Sequence, residues 1–137
     1  MTAAEIIKTL NLKPHPEGGW YSETWRDPTL PRATGTAIYF LLEAHQTSHW
    51  HKVDATEIWH WYAGHPLTLE ISENGTTSAV TLGPDLASGA RPQAIVPPHA
   101  WQRALPQGGW VLVGCTVSPG FEFSGFELAP PDWSPGT

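Results

Sequence analysis

Short apolar–polar alternations, separated by turn residues at fairly even spacing, run along most of the chain. One stretch departs from that pattern. Residues 2–10 predict a short helix, because Thr2 and Glu5 are spaced as a capping box and Ile6, Ile7 and Leu10 form a narrow apolar stripe. Lys13-Pro14-His15-Pro16 ends it. Glu17-Gly18-Gly19 follows, a segment suited to positive φ or to close backbone approach. Residues 20–26 predict a strand with Tyr21, Glu23 and Trp25 on one face. Residues 28–35 predict a loop. Residues 36–43 are nearly all apolar after Thr36, as in a strand buried on both faces.

Residues 48–64 predict two strands joined near Val53-Asp54-Ala55, with a corner at His65-Pro66. Leu67, Leu69 and Ile71 alternate with polar residues up to Glu73-Asn74-Gly75, a strong hairpin signal, and the apolar pattern resumes over residues 79–82. A loop over residues 83–92 leads to a strand at 94–96. Residues 101–105 and 110–117 pair around Pro106-Gln107-Gly108-Gly109. Residues 121–128 predict a last strand. The proline-rich tail, 129–137, is expected to be unstructured or draped on the surface.

Eight to ten short strands after one helix call for an all-β sandwich or barrel. A length of 137 residues suits one domain: lead-in 1–14, β-framework 15–128, tail 129–137. Fourteen prolines, thirteen glycines and eight tryptophans fit many turns and little helix. The net charge of −6, with the seven Lys and Arg scattered, argues against nucleic acid and anionic membranes. The single cysteine, Cys115, cannot form an intrachain disulfide, and no apolar run approaches a membrane span. A cytoplasmic protein is expected. Nucleotide-binding loops, nucleophile elbows and paired C-x-x-C motifs do not occur.

The candidate chemistry lies in residues 48–64. His49 and His51 are two apart, so an extended strand points both to one face. Alternation puts Trp59 and Trp61 beside Glu57, with Ile58, His60 and Tyr62 opposite. Two imidazoles and a carboxylate can coordinate a transition metal. They can equally bind and protonate a polar ligand in an aromatic-walled cavity. Glu57 needs a buried partner, for which Arg26 and Arg103 are candidates. Tyr39, between Ile38 and Phe40, is placed to donate into a pocket. Cys115 reads as an inert buried thiol, and His60 as packing.

The order H-x-H, Glu57, Gly64, followed by Pro97-Pro98-His99-Ala100-Trp101-Gln102, resembles the two motifs of the cupin superfamily. More narrowly, H-P-E-G-G-W-Y-S-E-T-W-R (15–26), E-I-W-H-W-Y-A-G (57–64), I-V-P-P-H-A-W-Q (95–102) and V-G-C-T-V-S-P-G-F-E-F (113–123) resemble the DUF985, or Cupin_5, subgroup of RmlC-like proteins. The resemblance implies a double-stranded β-helix jelly roll with one short N-terminal helix. It also implies a homodimer and a ligand-sized pocket in the barrel. No single reaction is implied, because the superfamily spans metal oxygenases, metal-dependent isomerases, metal-free epimerases and binding proteins. The chain departs from the general pattern at two places. Five residues separate His51 from Glu57, and His99 and Gln102 stand where that pattern has Gly and His. Gln is a poor ligand for a transition metal.

The expected pocket holds His49, His51, Glu57, Trp59, Gln102 and an aromatic from Tyr39 or Trp61, with Glu17 at its edge. The expected function is small-molecule binding, with isomerase or epimerase chemistry on a sugar-like or carboxylate metabolite. In it, Glu57 or His51 removes a proton and Tyr39 or the other imidazole returns it. One alternative is a metal-dependent enzyme holding zinc, iron, manganese or nickel through His49, His51 and Glu57. The other is a non-catalytic module for a small polar or aromatic metabolite.

Overall fold

A computed structural model describes residues 1–136. Helix α1 (Ala3–Leu10) starts where the capping box places it: the Thr2 hydroxyl accepts from the Glu5 N–H at 3.2 Å and the Glu5 carboxylate accepts from the Thr2 N–H at 3.3 Å. Among the described residues, eleven strands follow. They are β1 (Lys13–Pro14), β2 (Trp20–Arg26), β3 (Thr36–Leu42), β4 (Ser48–Val53), β5 (Thr56–Gly64), β6 (Leu67–Glu73), β7 (Thr76–Leu82), β8 (Gln93–Val96), β9 (Trp101–Pro106), β10 (Val111–Ser118) and β11 (Phe126–Leu128). Of these, β1 was not expected. The last predicted strand shrinks to β11 because a 3-10 turn, Phe123–Gly125, interrupts it.

The strands form two antiparallel sheets, ordered β1-β2-β3-β10-β5-β8 and β11-β4-β9-β6-β7. Sequence neighbours repeatedly fall in different sheets, and this crossing makes the framework a jelly roll rather than an up-and-down barrel. The core between the sheets packs Phe40, Leu42, Trp59, Leu67, Leu69, Leu82, Val96 and Val113, all at or below 1% exposure. Burying a side chain of this kind contributes about 1.5–3 kcal/mol. Strand β3 is covered on both faces, as its apolar run requires: Phe40 and Leu42 enter the core, and Leu41 packs under Ile6 of α1. The β6–β7 hairpin turns at Asn74 and Gly75, both at positive φ (52° and 80°).

Three register shifts set which side chains reach the interior. On β4, Ser48 pairs with Ala104 and His51 with Gln102, so β4 carries one extra residue. On β2 the shift falls between Glu23 and Trp25. On β5 it falls at Tyr62, between the Trp61–Val113 and Ala63–Leu112 pairs. Each inserted residue turns every later side chain on its strand to the other face.

The described part of the tail, 129–136, packs on the outer face of the second sheet. Ala129 N–H donates to the Trp50 carbonyl, and Trp133 packs against Trp50 and Trp101 with ring centroids 6.4 and 4.5 Å away. Among the described residues, no helix is long and apolar enough to cross a membrane.

Candidate functional site

A cavity of about 270 Å³ opens between the two sheets at the β1–β2 edge. Its floor carries Glu17, Glu57, Cys115 and Thr36, and His15 forms one wall. Tyr21, Phe121 and Phe123 surround the mouth together with Lys13, Glu23, Arg26 and Glu122.

Glu17 comes from the tight turn between β1 and β2. That turn closes through His15 N–H to the Gly19 carbonyl (2.9 Å) and Gly18 N–H to the His15 carbonyl (3.0 Å). Gly18 adopts φ +108°, and a Cβ there would collide with the Thr47 carbonyl, so the turn needs glycine. The Glu17 side chain is only 9% exposed. Burial without a counter-charge pushes its pKa up to about 8, against a smaller opposing effect of the hydrogen bond from the Ser48 hydroxyl.

The surrounding nitrogens fix where the Glu17 proton sits. Ser48 donates to Oε2. His51 Nδ1–H donates to the His49 carbonyl at 2.7 Å, which leaves a lone pair on Nε2, 3.5 Å from Glu17 Oε1. His15 Nδ1 spends its lone pair on the Glu17 N–H at 3.1 Å, so although it lies 3.4 Å from Oε1 it offers that oxygen no further acceptor. Both imidazoles are neutral: burial lowers the His15 pKa to about 4 and lowers that of His51 as well. Oε1 is therefore the protonated oxygen of a neutral carboxylic acid.

Glu57 is the second buried carboxyl, 7% exposed. Gln102 Nε2 donates to its Oε1 at 2.8 Å, and Gln102 Oε1 accepts from Trp59 Nε1 at 2.8 Å. The indole thus fixes which way the amide points. The Cys115 thiol is also hydrogen-bonded to Glu57, and its own pKa is raised far above the ordinary thiol range by burial. Burial raises the Glu57 pKa to about 7, with His51 opposing and Glu17 adding to the rise. The expected arginine partners are engaged elsewhere. Arg26 forks onto Glu23 (2.9 Å) and donates to the Phe121 carbonyl (2.8 Å), while Arg103 donates to Glu70 from Nε at 2.9 Å.

The expected site residues divide. Glu17 and Glu57 line the cavity; His51, Trp59 and Gln102 stand directly behind them. His49 does not join its neighbour. The β4 bulge turns it outward, and its Nε2 lies 2.8 Å from the Pro130 carbonyl of the tail. Tyr39 faces away from the cavity, packed edge-on against Tyr62 at 6.2 Å and against the cluster under α1. Trp61 follows Glu57 and Trp59 in parity but lies farther along β5, where its Nε1 donates to the His65 carbonyl. His99 is exposed, with its N–H on the Val53 carbonyl. Residues not expected in the site also take part, among them His15, Ser48 and Cys115, whose thiol is hydrogen-bonded to Glu57. The dense His15–Gly19 segment was a signal for the first; only the bulge reveals the second.

A metal held by His49, His51 and Glu57 does not fit this arrangement. His49 points to the tail and the Gln102 amide is committed to Trp59 and Glu57. Among the described residues, no group of three or more His, Cys, Asp or Glu side chains is arranged to hold a metal ion.

The family model for the Cupin superfamily (DUF985) matches residues 4–129. The chain belongs to this family. Protein SO0799 from Shewanella oneidensis shares 42% identity with this cupin at a TM-score of 0.90, over 94% of this chain and 85% of that one. A hypothetical protein from Leishmania major shares 33% identity at a TM-score of 0.86, over 94% and 88% of the two chains. A dTDP sugar isomerase from Desulfovibrio desulfuricans G20 superposes at a TM-score of 0.64 with 17% identity, over 88% of this chain and 80% of that one, a likeness of fold alone. No curated protein sequence matches the chain. The DUF985 cupin is thus an all-β jelly roll with one short N-terminal helix, as the sequence motifs imply.

Proposed function

We propose that this cupin is a proton-transfer enzyme of the isomerase or epimerase type, acting on a sugar-like carbonyl compound. One observation carries the reading: two buried carboxyls with pKa values near neutrality, about 7 and about 8, line one cavity. A general base and a general acid work best when poised near the operating pH. Glu57 is then the base. It takes the proton from the carbon next to the carbonyl, and the electron pair of that C–H bond forms the C=C bond of an enol. Glu17 gives its Oε1 proton to the carbonyl oxygen as the C=O bond becomes C–OH. For isomerisation, Glu57 returns its proton to the former carbonyl carbon. Glu17, now ionised, takes the proton of the hydroxyl on the adjacent carbon, whose O–H electron pair forms the new C=O bond. For epimerisation, the enol takes a proton on its opposite face from solvent, Glu57 releases its own to solvent, and Glu17 recovers its proton from the enol hydroxyl.

His51 and Ser48 hold Glu17, and Gln102 holds Glu57. They position these groups and do not touch the ligand. Tyr39 and His49 take no part in this scheme. The cavity of about 270 Å³ is of monosaccharide scale. The same reading carries a cytoplasmic homodimer, for which the exposed Trp25, Tyr62 and Ile95 on the first sheet are the candidate contact.

The test is solvent exchange. Ketoses, aldoses and amino sugars are incubated with the protein in deuterated buffer, and loss of the C–H signal beside the carbonyl is followed by proton NMR. At least one compound loses its signal with the native protein and keeps it with Glu57→Gln. Ligands that bind saturably while no compound exchanges contradict the proposal and leave a binding module.

A further inference from the structure

The cavity lacks a counter-charge for its acids. Glu57 meets an amide, a thiol and a neutral imidazole; Glu17 meets a hydroxyl and two neutral imidazoles. At the mouth, Arg26 is already bound to Glu23 and to the Phe121 carbonyl, Glu122 pairs with Arg32, and the Lys13 ammonium lies over the Tyr21 ring. A buried carboxylate without a cation is costly. A ligand carboxylate placed beside Glu57 would add a second negative charge to that cost.

A second, independent feature lies around the entrance. Phe121 and Phe123 meet edge to face at 5.0 Å with planes 86° apart, and Phe126 stands behind them at 5.8 and 6.0 Å. His15 adjoins this group, 6.3 Å from Phe123, and packs on Tyr21 at 4.6 Å with the rings inclined at 71°. Aromatic rings gathered at one opening are the side chains that attract an alkylammonium group. The protein's own Lys13 Nζ already lies 5.4 Å over the Tyr21 ring.

We infer that the ligand of this cavity is a small cationic metabolite, a protonated amine whose ammonium group pairs with Glu57 after passing the aromatic ring of the mouth. A sugar-sized amine satisfies both features: its hydroxyls meet Glu17 and Thr36, and its charge completes Glu57. The inference rests on the reading of this cavity as the ligand site, not on turnover.

Two sets of equal shape and different charge test it by calorimetry: glucosamine, glucose and glucuronate, and cyclohexylamine, cyclohexanol and cyclohexanecarboxylate. In at least one set, the amine binds at least tenfold more tightly than its neutral partner and the acid does not bind. Pairing with the ionised form of Glu57 (pKa about 7) makes the affinity of cyclohexylamine, which stays protonated throughout, rise about tenfold from pH 6 to pH 8. Glu57→Gln weakens it at least tenfold. Phe123→Ala, at a residue 54% exposed and so tolerant of change, weakens it about fivefold without altering the pH slope. Neutral or acidic partners binding as well as the amines, or no binding by either amine, overturns the inference. Stoichiometric zinc or manganese uptake that is lost in Glu57→Gln and blocks the amine overturns it too. Binding is read without catalysis, so solvent exchange and this titration succeed or fail separately.

Discussion

His51 Nε2 lies 3.5 Å from Glu17 Oε1, and the hydrogen bond from Nδ1 to the His49 carbonyl dictates that this nitrogen carries the lone pair. The side chain of the adjacent His49 has no part in that relationship; only its carbonyl does. The two histidines of the H-x-H motif therefore separate on mutation. His49→Ala leaves Glu17 titrating where it does in the native protein. His51→Ala removes a neutral acceptor that favours the protonated acid, so the Glu17 midpoint moves down by about one unit or less, since a neutral hydrogen bond contributes about 0.5–1.5 kcal/mol. Carboxyl titrations of the two variants, compared side by side, check this.

Stability should depend on pH in a way set by the cavity. Between about pH 4.5 and 6.5, the folded carboxyls of Glu17 and Glu57 keep protons that the unfolded chain has lost, so stability falls as pH rises. Over the same range, folded His15 and His51 lack protons that the unfolded chain carries, which acts in the opposite direction. Above pH 6.5 the imidazoles are neutral in both states and only the carboxyls remain. Stability is then lost up to about pH 8, at no more than about 1.4 kcal/mol per pH unit for each retained proton. Urea unfolding gives a midpoint that is flat from pH 5 to 6.5 and falls to pH 8, and the fall disappears in the Glu17→Gln, Glu57→Gln double variant.

Gln102 joins Trp59 to Glu57, and its side chain is fully buried. Gln102→Leu keeps much of the volume but leaves an indole N–H and a carboxyl oxygen without partners. Each unmet group costs about 1–3 kcal/mol, so the variant should lose about 2–6 kcal/mol in chemical unfolding. Its Glu57 midpoint moves further up, because the lost hydrogen bond favoured the ionised form.

Gly18→Ala should cost more than about 1 kcal/mol, since the turn needs positive φ and the new Cβ meets the Thr47 carbonyl. The turn carries Glu17, so the same variant should move the Glu17 midpoint down toward the ordinary carboxylate range as water reaches the side chain. Melting temperature and carboxyl titration on one sample test both halves.

The elements of this fold were legible, and so was the parity of one strand. Glu57, Trp59 and Trp61 share a face because β5 is regular up to Tyr62. The capping box at Thr2 and the Asn74-Gly75 turn are local signals, and local geometry decides them. The parity of β4 was not legible. One inserted residue between Ser48 and His51 sends His49 to the tail and brings Ser48 to Glu17, and the pairing with β9 creates that insertion. Tyr39 failed for a related reason: on a strand covered on both faces, sequence alone does not say which face holds the cavity. The partner of Glu57 was sought among arginines. The structure supplies Gln102, 45 residues away, which the motifs place in the same pocket but not as the partner of the carboxyl.

The central claim is that the cavity holds two carboxyls protonated near neutral pH, and NMR titration of glutamate side-chain carbons tests it most directly. With Glu17→Gln and Glu57→Gln to assign the signals, the account expects midpoints of about 8 for Glu17 and about 7 for Glu57. Both signals titrating in the ordinary range near about 4.3 would contradict it.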